Sequence, residues 1–114
     1  MSNNLAVRMY PETLRTLAFG GITGTYAGIG SSLINPCRIY WLQNNTDVLL
    51  TFSWDGITDH FVLPAGAFVL LDVTSNRTDT GGSLNVASGQ RTYVKGAPSV
   101  GAVYLTSFFG SNGN

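Results

Sequence analysis

Two apolar runs with a period of two flank the pair Asp55-Gly56 in the stretch FSWDGITDHFVLPAG, residues 52–66. Upstream, Val48, Leu50, Phe52 and Trp54 fall on one face of an extended chain, while Leu49, Thr51 and Ser53 fall on the other. Asp-Gly suits a two-residue type I′ hairpin, whose two turn residues need positive φ. That turn would set Trp54 opposite Ile57, Phe52 opposite Asp59, Leu50 opposite Phe61 and Val48 opposite Leu63. Val48, Leu50, Phe52, Trp54, Ile57 and Phe61 are therefore expected to line one wall of a core, with Asp59 the odd member. Pro64 and Gly66 in LPAG suit a second turn, because proline presets φ and glycine reaches positive φ.

The rest of the chain repeats this grammar. CRIYWLQN sets Ile39, Trp41 and Gln43 against Arg38, Tyr40 and Leu42, and NNT at 44–46 reads as a turn. AFVLLDV is a nearly continuous apolar strand, Leu84 and Val86 suggest a short one, and another is centred on 91–95. GAVYLTSFF is the last, with 74–83 as the longest polar loop. YPETLRTLAF could form one helical turn, but the following GGITGTYAGIG stops it, and strand or extended arm is favoured. Short strands with Gly/Pro turns and no helix between them predict an all-β fold, a small antiparallel β-sandwich or open barrel. The expected layout is a glycine-rich N-terminal arm or first strands over 1–33, a sandwich core over 34–110 and a flexible tail over 111–114, with an N-terminal region folded back over its own sandwich as the alternative to an arm on a neighbour.

In that arm Ile22, Tyr26, Ile29 and Leu33 are too apolar for a tether and lack a regular pattern. They are expected to lie on a neighbouring subunit, together with the terminal aromatics Phe108 and Phe109. On this reading, removal of residues 1–30 leaves a folded, monomeric β domain.

Charge is scarce: 11% of residues are charged and the formal net charge is zero, against about 25% charged in ordinary globular chains. Copies of such a chain meet with little long-range repulsion, which favours a homo-oligomer. The lone Cys37 excludes an internal disulfide. The N-terminal MSNNLAVRMYPE lacks a signal-peptide apolar run, and no stretch approaches the ~20 apolar residues of a membrane span. The expected setting is the cytoplasm until assembly.

Candidate chemistry is thin. Asp59 and His60 are adjacent and point to opposite faces of a strand, and Asp55 is expected to bond its own turn. A calcium site from Asp55, Asp59 and backbone carbonyls is the competing reading, without EF-hand spacing. Cys37 has no CxxC partner, and Asp72 and Asp79 have no visible partner carboxylate. GGITGTYAGIG lacks the lysine of a phosphate loop. Arg8, Arg15, Arg38, Arg77, Arg91 and Lys95 are dispersed, so no basic footprint for nucleic acid forms. The chain reads as a non-enzyme with no cofactor. The alternative is a glycan- or receptor-binding β-module using Tyr40, Trp41 and the 74–83 loop.

The order NPCRIYWLQNNTDVLLTFSWDGITDHFVLPAGAFVLLD, with NNTD, FSWDG and LPAG in sequence, resembles small structural proteins of tailed-bacteriophage virions. The resemblance covers about a third of the chain and carries no catalytic motif. It implies turn-shaping roles for Asn45, Asp47, Asp55, Gly56, Pro64 and Gly66. It also implies a virion subunit at the head-tail neck or capsid surface, with portal, capsid or tail proteins as partners.

Overall fold

The computed structural model describes residues 8–72 and 86–111. Among the described residues nine strands follow one another: β1 (Arg8–Pro11), β2 (Arg15–Ala18), β3 (Ala27–Gly28), β4 (Cys37–Thr46), β5 (Leu50–Ser53), β6 (Phe61–Leu63), β7 (Phe68–Asp72), β8 (Tyr93–Lys95) and β9 (Gly101–Ser111). One sheet, A, runs β1-β9-β4-β7, with β2 continuing beside β9 where β1 leaves off. The other, B, runs β3-β8-β5-β6. Strand order 2-9-4-7 over 3-8-5-6, all antiparallel, is a jelly-roll sandwich. The all-β sandwich expected from the sequence is the fold. The polar loop 74–83 and Leu84 lie outside the described residues, as do 112–114 of the tail.

Alternation selects what enters the space between the sheets. Tyr40 and Leu42 of β4, Val103 and Leu105 of β9, Leu50 and Phe52 of β5 and Val94 of β8 are at most 1% exposed. Val48, Trp54 and Phe61 are half-buried and pack against this cluster. Phe52 stacks on Phe61 at 5.3 Å, and Trp54 meets Tyr40 edge-on at 5.9 Å.

Three expectations are corrected. First, Asn44, Asn45 and Thr46 form the end of β4 rather than a turn. The buried Asn44 amide replaces a turn's backbone bonds: its Nδ2 donates to the carbonyls of Val48, Leu63 and Pro64, and its Oδ1 accepts from Thr46. Second, the hairpin register is Leu50↔Leu63, Thr51↔Val62 and Phe52↔Phe61. A seven-residue loop, 54–60, replaces the type I′ turn, and among the described residues only glycines have positive φ, so Asp55 does not. Ile57 sits in this loop 83% exposed, not in the core. Third, residues 8–33 form first strands of their own subunit rather than an arm on a neighbour. β1 and β2 pair with β9, β3 pairs with β8, and Ile22, Ile29 and Leu33 are 4%, 0% and 3% exposed. Backbone bonds from Ile29 to Thr92 and from Leu33 to Gln90 fix the path between β3 and β4.

The start of β9 has no room for a side chain. Gly101 has φ +96°, and a Cβ there would come within 2.1 Å of the Asn45 carbonyl oxygen. Gly101→Ala is expected to cost more than the roughly 1–3 kcal/mol of backbone strain alone. Urea denaturation of the variant measures it, and a loss below ~1 kcal/mol would contradict the packing described here.

Candidate assembly surface

The loop after β5 collects Ser53, Asp55, Asp59 and His60, the residues of most chemical interest in the sequence. Ser53 Oγ donates to Asp55 Oδ1 at 2.8 Å and accepts the N–H groups of Asp55 and Gly56. Asp55 Oδ1 also accepts the N–H groups of Ile57 and Thr58. Those bonds hold the Asp55 carboxyl well below the usual carboxylate range. His60 Nδ1 lies 3.5 Å from Ser53 Oγ and accepts the Trp54 N–H at 3.0 Å. A serine, a histidine and an aspartate are therefore close together, in the wrong order for nucleophilic catalysis. The carboxylate binds the serine rather than the imidazole, the histidine lone pair is taken by the backbone, and Ser53 is fully buried. Asp55→Ala removes the acceptor of three hydrogen bonds. It is expected to lower the melting temperature and to loosen the loop, read as faster amide exchange at Ile57 and Thr58.

Asp59 is held elsewhere. It accepts Tyr26 Oη at 2.5 Å and pairs with Lys95 Nζ at 3.0 Å, while that ammonium sits 4.6 Å above the Tyr26 ring. Burial and the Asp59 carboxylate push the Tyr26 hydroxyl up to about 12. Asp55 and Asp59 thus each commit Oδ1 to separate protein donors. Among the described residues no three His, Cys, Asp or Glu side chains converge as metal ligands. Cys37 is fully buried and bonded to the Asn35 carbonyl, and burial, with the nearby Glu12 charge, pushes its thiol up, away from the reactive thiolate.

Tyr40, ligand-facing on the alternative glycan-binding reading, is fully buried. Its hydroxyl bonds Thr92 Oγ1 at 2.5 Å and accepts Trp54 Nε1–H at 3.0 Å. Strand parity sends Trp41, its neighbour, to the opposite face of sheet A, where it is 38% exposed.

That outer face is the most unusual surface of the described molecule. Three strands in register make a grid of nine positions. Its central row is Leu70–Trp41–Thr106, with Phe68–Gln43–Tyr104 on one side and Asp72–Ile39–Phe108 on the other. Phe68 and Leu70 are 58% and 48% exposed. Trp41 and Phe68 pack edge-to-face at 6.1 Å. Ile39, Tyr104 and Phe108 are half-exposed, and Asp72, in a corner, is the one charged side chain in the grid. Antiparallel sheets ordinarily alternate apolar-in with polar-out, and apolar character on both faces marks a sheet covered on both sides. The outer edge of β7 runs along this grid with no proline inside it. The outer face of sheet B differs: it presents Thr51, Tyr93 and Lys95 with Val62 as its exposed aliphatic residue, and the 54–60 loop crosses toward it through Asp59.

Of the residues expected at an interface, Ile22, Ile29 and Leu33 are in the core. Phe109 is half-buried against Tyr10 at 5.7 Å, and Phe108 stands in the grid. Sequence reading did not single out Ile39, Phe68, Leu70 and Tyr104. The available signal was that CRIYWLQN and AFVLLDV are apolar at both parities.

No protein-family model matches this chain, and no curated protein matches it in sequence. Among solved structures, it is similar to a chain described in the words "Bacillus endospore appendages form a novel family of disulfide-linked pili", with 16% identity over 96% of this chain and 94% of that one. The TM-score is 0.46.

Proposed function

We propose that this chain is a non-catalytic structural subunit that assembles with copies of itself by burying the outer face of sheet A. The observation that supports this most is the grid around Trp41, a both-sides-apolar sheet in a chain whose formal net charge is zero. Desolvating Trp41, Phe68 and Leu70 would supply the central anchors, since buried aromatic clusters dominate interface energies. The resemblance of 34–72 to tailed-phage virion proteins supports a station in a virion, at the neck or on the capsid surface, after synthesis in the host cytoplasm. Portal, capsid or tail proteins are the further partners on that reading.

Trp41→Glu tests the assembly reading. A carboxylate at the centre of a buried apolar interface has no partner, and its desolvation cost is several kcal/mol. Sedimentation is expected to show the wild-type chain as an oligomer and the variant as a monomer with unchanged far-UV circular dichroism. An unchanged oligomer would remove this face from the assembly. With Tyr40 buried, the glycan-binding alternative retains Trp41 alone from its described platform. Saturable quenching of tryptophan fluorescence by soluble sugars, lost in Trp41→Glu, would favour that alternative.

A further inference from the structure

We infer that the outer face of sheet A packs against the same face of a second copy of this chain, about a two-fold axis passing over Trp41. This deepens the assembly reading above and rests on it.

A broad apolar surface needs an apolar partner. Among the described residues the other sheet face cannot serve. The outside of sheet B carries Lys95 paired with Asp59, and Arg91 lies 5.5 Å from the Tyr93 ring. Covering those charges with Trp41 and Phe68 would strip their water without replacing it. Of the remaining large exposed apolar residues, Ile34, Leu49, Ile57 and Val100 lie in separate loops, Val62 stands singly on β6, and Met9 and Tyr10 lie on β1 at the far edge of sheet A, so none forms a second apolar grid. The surface that matches the grid is the grid.

Symmetry imposes a second condition, and the grid meets it. In an isologous contact each residue near the axis faces its own copy. A charge there would meet a like charge, which is strongly unfavourable. The central row, Leu70–Trp41–Thr106, and the central column, Ile39–Trp41–Gln43, contain no charge. Their polar members tolerate self-contact: a Gln amide both donates and accepts, and so does a Thr hydroxyl. Asp72 occupies a corner, where solvent reaches it. Two such sheets would stack about 10 Å apart, as the two layers of a sandwich do.

The axis lies in the plane of the contact, along β4 or across it. If it runs along β4, Gln43 faces Gln43 of the second copy; if across, Thr106 faces Thr106. The test places one cysteine at each position, Gln43→Cys and Thr106→Cys, in the full chain, and treats each variant with a short bis-maleimide. Buried Cys37 should leave the wild-type chain unlinked. The expected result is a covalent dimer from one of the two variants, while sizing and circular dichroism match the wild type. If sedimentation shows an oligomer of native fold and neither cysteine links, the two-fold geometry is wrong while the assembly reading survives. If the wild-type chain is monomeric at every concentration tested, both readings fall together.

Discussion

Removing residues 1–33 is expected to unfold the protein, leaving no cooperative transition in heat or urea. The deleted segment supplies Ile22, Ile29 and Leu33 to the core and β1, β2 and β3 to the sheets. Each fully buried aliphatic side chain contributes about 1.5–3 kcal/mol. Three of them approach the whole stability of a small domain, about 5–15 kcal/mol. The deletion also bares one edge of the long β9 and removes Arg15, the partner of the buried Ser107 hydroxyl. Lost pairing and unsatisfied polar groups act in the same direction. Circular dichroism and a urea titration of the truncated chain check this. A truncated protein that melts cooperatively near the wild-type midpoint would show that the segment is an appendage after all.

The reversal concerning this segment marks where sequence legibility ends. An apolar residue among glycines announces that it will be covered, and Ile22, Ile29 and Leu33 are covered. Which chain covers them depends on long-range bonds, such as Ile29 to Thr92 and Leu33 to Gln90, that no local pattern encodes. The hairpin shows the same boundary at short range. Alternation alone places Leu50 and Phe52 on a common face, and a register error of two residues leaves that parity intact. The turn itself was misjudged because the Asp55 carboxylate collects the N–H groups of Ile57 and Thr58, which stabilises a longer loop than Asp-Gly ordinarily makes. Tyr40 and Trp41 are adjacent aromatics at opposite parities, and pattern could not choose which one faces inward. The choice follows from the buried hydroxyl network: Thr92 and Trp54 stand between the sheets as partners for the Tyr40 oxygen.

Replacing Arg15 by alanine is expected to cost about 3–5 kcal/mol, the range for removing one partner of a buried ion pair. The Arg15 and Glu12 side chains are 5% and 3% exposed and meet at 2.8 Å. The rest of the guanidinium is satisfied as well. It donates to the carbonyls of Thr13, Ser31 and Ser32 and to Ser107 Oγ, so it joins the corner between β1 and β2 to the loop before β4 and to β9. Glu12 completes the knot by accepting from Arg15, from the Asn35 N–H and side-chain amide, and from the Ile34 N–H. Deleting the arginine leaves a carboxylate buried without its charge partner, and the 31–35 loop loses its anchor. The pair also predicts a pH response. Burial alone would raise the Glu12 carboxyl, but the bonds from Arg15, Asn35 and Ile34 outweigh it and hold the group below its ordinary value of 4.5. A carboxyl with a lower pKa folded than unfolded adds stability above the unfolded value. That contribution is lost as pH falls through the folded one. Asp47, Asp55 and Asp59 are lowered too, so the acid limb of wild-type stability is shared among them. Glu12→Gln separates the contributions: it keeps the shape, removes the titration and is expected to be less stable at pH 7, with a shallower fall below pH ~4.5. Urea midpoints for both chains from pH 3 to pH 7 measure the difference. Parallel curves would mean that folding leaves the Glu12 pKa unchanged, and the lowering assigned to this corner would have to be withdrawn.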